Sequence, residues 1–199
     1  MFRLTQPSTR QIATFLSRQQ AQSFSYAEVG ATRENSAPDR YTVDHNRIRL
    51  GYGAAVFDKA VSALRAWRMA ALGWSTVHPA STMILPGATV AVVVRHYGFW
   101  SMNACRVVYL LDEESENMRC TGFAYGTLPE HGEAGEERFI VEWHRADDSV
   151  WYDLLAFSRP GHVLTRMGYP LARRLQRRFA QGSKQAMVNA VREDAVGVK

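Results

Sequence analysis

A chain of 199 residues with 46% hydrophobic and 11% aromatic side chains holds enough apolar surface to close a sizeable core. Charged residues at 22% exclude a disordered or membrane-embedded composition. The net charge of +5 sits largely in Arg166 to Lys184, which weakens a general nucleic-acid reading.

The opening Met-Phe-Arg-Leu-Thr-Gln-Pro lacks the apolar core of a secretory signal, so a cytoplasmic location is expected. Ser8 to Gln20 reads as a short helix. Ser8 and Gln11 have capping-box spacing, and Ile12, Phe15 and Leu16 form one apolar edge. Residues 30–40 are polar and loop-like, and a strand is expected from Tyr41 to Leu50. Gly51 and Gly53 punctuate the turn into an amphipathic helix carrying Phe57, Ala60, Val61, Leu64, Trp67 and Ala71, with Gly73 as its stop.

The period then changes to two. Val90, Val92 and Val94 share one strand face, a stretch far too short to span a bilayer as a helix. Trp100 to Leu111 and Arg119 to Thr127 read as strands joined by the acidic turn Asp112 to Asn117. Gly122, Ala124 and Gly126 form a small-residue stripe, which marks close backbone approach or a sharp bend. Phe139, Val141 and Trp143 alternate with polar neighbours, as do Val150, Tyr152 and Leu154 with theirs. A long helix closes the chain, from about Tyr169 to Arg192, with Leu171, Leu175, Phe179 and Ala186 on one side.

Two cysteines are too few for a disulfide framework or a zinc site. A hairpin turning near Ser115 sets Cys120 opposite position 110. Cys105 is then about five residues away, roughly 16 Å at strand rise, so reduced core cysteines are expected. Helix, strand, helix, meander, long helix is an α+β order. One domain is expected over 1–199, with an N-terminal helical extension at about 5–40 and a core at about 41–192.

Several segments together resemble the bacterial and plant family known as domain of unknown function 1990. They are Phe24-Ser-Tyr-Ala-Glu-Val-Gly-Ala-Thr32, Leu50-Gly-Tyr-Gly53 with Phe57 and Ala60, Ala63-Leu-Arg-Ala-Trp67, the run Gly122 to Phe139, and Ala156-Phe-Ser-Arg-Pro160. The family is similar in pattern to the START-like, or Bet v 1-like, superfamily. That resemblance implies a helix-grip fold: a curved antiparallel sheet around the C-terminal helix, with a cavity between them. The superfamily hosts both carriers and enzymes, so the fold leaves function open.

The segment Gly126 to Glu137 concentrates polar chemistry in Glu130, His131, Glu133, Glu136 and Glu137. One reading is a rim site where His131 and a carboxylate share a proton or hold a cation. The plainer reading is a solvated hairpin loop. Neither cofactor nor metal site is expected, since the spacing matches no ligand pattern. Strand alternation turns Glu137 inward with Phe139 and Val141, leaves Glu136 outside, and makes Arg159 an available partner for Glu137. Arg159 could instead clamp a ligand carboxylate or phosphate, and His162 shape the turn before the last helix. Of Trp67, Trp74, Trp100, Trp143, Trp151, Tyr125 and Tyr152, most are expected in the core and two or three at the cavity wall.

Three functions are compatible with these residues. In the first, a small apolar or amphipathic molecule is bound, with Tyr125, Glu137 and Arg159 orienting its polar end and Trp143 and Trp100 at the wall. The second is an enzyme acting on such a ligand through His131 and Glu137. In the third, the basic face (Arg166, Arg173, Arg174, Arg177, Arg178, Lys184) makes peripheral contact with a membrane surface or partner. No transmembrane segment is expected. That face lacks the interleaved aromatics of nucleic-acid binding, so no nucleic-acid partner is expected.

Overall fold

Alternation of inward and outward side chains organises the molecule around one antiparallel sheet. The structure is a computed structural model that describes residues 1–34, 39–161 and 168–192; His162 and Arg166 lie outside them. The strands are β1 (Phe2–Arg3), β2 (Thr42–Tyr52), β3 (Ser75–His78), β4 (Thr89–Arg95), β5 (Trp100–Glu114), β6 (Met118–Thr127), β7 (Glu133–His144) and β8 (Ser149–Pro160). Their order across the sheet is β2-β8-β7-β6-β5-β4-β3, and β1 pairs with β5. Strands β4 to β8 form a meander, and β2 returns to close its far edge on β8.

Among the described residues three α-helices accompany the sheet: α1 (Thr9–Gln19), α2 (Ala54–Arg65) and α3 (Tyr169–Arg192). On the concave face, Val90, Phe123, Phe139, Val141, Val150 and Leu154 pack with Phe57 and Leu64 of α2 and with the C-terminal half of α3. The convex face is covered differently. There Ile12, Phe15 and Leu16 of α1 bury Ala91, Val93, Met102 and Ala104, while Tyr26 packs on Ala134 and Phe157. The helix-grip architecture is therefore present.

Curvature comes from interruptions of the ladder. A bulge in β5 between Val107 and Tyr109 moves the odd-numbered side chains from the concave face to the convex one. Small residues permit close approach elsewhere. A Cβ on Gly122 would fall 2.2 Å from the Phe139 carbonyl, and one on Gly126 would fall 2.1 Å from the Tyr26 hydroxyl. The expected stripe thus has a definite cause at both glycines.

Several elements depart from the sequence reading. α2 ends at Arg65 rather than near Ala71, because Trp67 turns left-handed (φ 57°) and a 3-10 turn, Arg68–Ala70, follows. The Trp67 indole donates to the Thr82 carbonyl at 2.8 Å, which compensates the break. β1 and β3 were not expected. β5 continues to Glu114, so Cys120 lies opposite Glu113 rather than position 110. Both cysteines are free, and the bulge leaves them in clusters on opposite faces.

Within the stretch read as a polar loop, Ala31–Glu34 forms a 3-10 turn. On α3 the buried residues are Ala180, Ser183, Met187, Val188 and Val191. Leu171 is 46% exposed instead of core.

Candidate functional site

The N-terminal half of α3 stands away from the sheet, and the space beneath it is a cavity of about 990 Å³. Its apolar wall is built by Val92 and Val94 of β4, Leu154 and Ala156 of β8, Trp74, and Leu171, Leu175 and Phe179 of α3. Leu171 and Leu175 keep exposed surface because the cavity lies opposite them, while Phe179 packs edge-on against Trp74 at the border of the concave core.

Acidic groups gather at one end, while His96, Ser101 and Asn103 also line the wall. Strand alternation sends Asp44 and Asn46 of β2, Tyr125 of β6, and Glu133 and Glu137 of β7 to the concave face. Tyr125 and Glu137 are direct cross-strand partners, and the Tyr125 hydroxyl donates to Glu137 Oε2 at 2.7 Å. Glu137 is surrounded by protein yet keeps accessible surface, because that surface faces the cavity. Burial pushes its carboxyl up to about 7. The Tyr125 bond opposes this shift, while Glu133 and Asp44 reinforce it. Burial also pushes Glu133 up to about 7, against a hydrogen bond from Gln176 and the charge of Arg173. Arg173 itself is held to Asp44 by two hydrogen bonds of 2.5 and 2.7 Å.

His131 borders the same cavity. Its Nδ1 accepts the Glu133 backbone N–H at 2.9 Å, and burial with the nearby N-terminal ammonium lowers its pKa to about 4. At neutral pH the ring is therefore uncharged with its proton on Nε2, so it can donate a hydrogen bond but not act as a base.

Of the residues expected at the site, Tyr125, Glu137 and His131 come together and three others do not. Arg159 is exposed on the convex face, with its guanidinium 5.1 Å from the centre of the Tyr41 ring, and is no partner of Glu137. Trp100 packs beside the α1 cluster on the convex face. Trp143 sits against Phe57, its indole bonded to Asp148 at 2.8 Å, and lies outside the cavity. Asp44, Gln176 and Trp74 contribute instead. The alternation of Asp44, Asn46 and Ile48 along β2 was the available signal for the first of these.

Glu136 corrects a second expectation, since it too is buried (2% exposed), but on the convex face. Its Oε2 accepts from the Tyr26 hydroxyl and the Gly30 N–H, both at 2.7 Å. Oε1 accepts from the Thr32 N–H at 3.1 Å and from the Thr32 hydroxyl. The segment Phe24–Thr32 is thereby fastened to the back of the sheet. The basic row on α3 is also partly engaged, since Arg173 holds Asp44, Arg178 lies 4.4 Å from the Trp74 ring centre, and Lys184 donates to Asn46.

The model of a domain of unknown function, DUF1990, matches residues 25–186. The chain belongs to that family. A UPF0548 protein of Deinococcus radiodurans is 38% identical over 200 residues, covering 96% of this chain and 98% of the relative. Another from Dictyostelium discoideum is 34% identical over 207 residues, covering 96% of each. Among solved structures, the ZhuI aromatase/cyclase from Streptomyces sp. R1128 superposes with a TM-score of 0.51 at 12% identity, covering 79% of this chain and 99% of that one. At that identity the likeness concerns the fold alone, and it agrees with the helix-grip arrangement described above. Among the described residues, no helix is long and apolar enough to cross a membrane.

Proposed function

We propose that this protein binds a small apolar or amphipathic molecule between its sheet and α3. The reading rests on one observation: a cavity of about 990 Å³ whose wall is mostly apolar and whose acidic groups converge at one end. Sites of that size and make-up are those in which apolar burial supplies affinity and a few polar groups fix orientation. Tyr125 and Glu137 orient the polar end, while Leu154, Leu175 and Phe179 cover the body of the ligand.

Native mass spectrometry of protein purified gently from its own host tests this reading. A stoichiometric small molecule, released and identified after denaturation, is the expected result. A homogeneous ligand-free mass, joined to failure of apolar probes to bind, contradicts it.

A second reading, catalysis on the bound molecule, is favoured by Glu137, a buried carboxyl pushed up to about 7 beside a tyrosine hydroxyl. In this reading Glu137 moves the proton and His131 donates a hydrogen bond through Nε2. Once a ligand is known, His131→Ala separates the two readings. Loss of turnover with intact binding supports the enzyme, and absence of turnover in the wild type removes it.

A further inference from the structure

The polar end of the cavity also carries information about ligand charge, an inference that rests on the cavity being a ligand site. Among the described residues Glu137 has no ion-pair partner, and its one hydrogen bond comes from Tyr125. The titratable groups that act on it are Tyr125 on β6, Cys105 on β5, Tyr152 on β8, Glu133 on β7 and Asp44 on β2. Arg173 on α3 is the cation bonded to this group of acids, with both of its Nη atoms engaged by Asp44, while Lys184 is bonded to Asn46 and acts on neither Glu133 nor Glu137. Arg3 and Arg177 border the cavity too, but neither acts on Glu137. When ionised, Asp44, Glu133 and Glu137 therefore outnumber Arg173 by two charges.

A buried carboxylate without a countercharge is strongly disfavoured, and a cation delivered by the ligand relieves that penalty. The geometry argues for an organic cation. Among the described residues no three His, Cys, Asp or Glu side chains converge as metal ligands do, and most of the wall beyond the acids is apolar. We propose that the cavity selects an amphipathic amine, its protonated nitrogen against Glu137 and Tyr125 and its apolar body along Val92, Val94, Leu175 and Phe179. The ammonium donates one hydrogen bond to the unoccupied oxygen of Glu137 and another to the Tyr125 hydroxyl oxygen, which accepts while its own O–H still donates to Glu137 Oε2. A ligand carboxylate at the same place meets like charge.

The pH dependence follows. Glu137 must ionise to pair with the ammonium, whereas an alkylammonium keeps its proton well above neutral pH. With the carboxyl at about 7, amine affinity rises about tenfold from pH 6 to pH 8. An alcohol of the same chain length shows no such rise.

The test is calorimetric titration of the full chain with octylamine, octanol and octanoate at pH 7.5, repeated on Glu137→Gln. Octylamine is expected to bind at least about tenfold tighter than octanol, with octanoate weakest, and Glu137→Gln to reduce octylamine to the octanol level. Gln keeps an acceptor for Tyr125, and circular dichroism of the variant verifies its fold. Equal affinity for amine and alcohol, preference for octanoate, or an amine preference that survives in Glu137→Gln overturns the charge inference while leaving cavity binding intact. If none of the three probes binds, the cavity reading falls and the inference falls with it.

Discussion

Glu136 and Glu137 adjoin in sequence but lie on opposite faces of β7, and their chemistry separates accordingly. Glu136 accepts four hydrogen bonds from Tyr26, Gly30 and Thr32, so Glu136→Ala strands several donors and loosens the segment before β2. A loss of about 2–4 kcal/mol is expected in urea unfolding. Gly126→Ala strikes the same segment from below, pressing a methyl into the Tyr26 ring, and is expected to cost about 1–3 kcal/mol.

Glu137 behaves in the reverse manner. Its pKa rises from 4.5 to about 7 on folding, so the folded chain binds more protons than the unfolded one between those values. The stability this contributes is full below about pH 4.5 and is lost as pH rises through 7. Glu137→Gln is expected to be more stable relative to wild type at pH 8 than at pH 5, by about 2–3 kcal/mol, in denaturant titrations at both pH values. His131, lowered to about 4, works in the opposite direction but is common to both proteins and cancels. Strand alternation was enough to point Glu137 inward and Glu136 outward. What covers the outer face was not legible, because Tyr26 and Thr32 lie more than a hundred residues away in a stretch without periodicity.

At the level of elements, α3 has two regimes. Its C-terminal half is anchored by Met187, Val188 and Val191 and by a Tyr152–Ser183 hydrogen bond of 2.7 Å. The other half spans the cavity and is tied down by polar contacts, chiefly Arg173 to Asp44 and Gln176 to Ser158 at 2.8 Å. Asp44→Asn is expected to speed amide hydrogen exchange in residues 169–176 while leaving 183–191 protected. Both partners are partly solvated, so global stability should change by no more than about 1 kcal/mol.

The long meander strands and the helices α1, α2 and α3 were legible because their periods repeat often enough to be read. β1 and β3, with two and four residues, are too short to show alternation. The premature end of α2 was hidden because Trp67 and Ala71 preserve helical spacing after the backbone has left the helix.

For the whole molecule, alternation tells which side chains share a face but not whether that face closes on a core or on a void. The N-terminal half of α3 illustrates this. Leu171, Leu175 and Phe179 form a stripe like any core stripe, yet only Phe179 reaches the packed core, and Leu171 and Leu175 face the cavity that the curled sheet leaves. Arg159, Trp100 and Trp143 were placed at the site by residue type, whereas strand parity and position along the sheet put them elsewhere.

The central claim is that this space receives a ligand. The most direct test is titration with the neutral fluorophore N-phenyl-1-naphthylamine on the wild type and on Ala156→Trp, which sets an indole into the cavity beside Glu137. Saturable binding of one probe per chain, lost in Ala156→Trp while its circular dichroism stays unchanged, is the predicted result. Absence of saturable binding, or equal binding by the obstructed variant, contradicts the account.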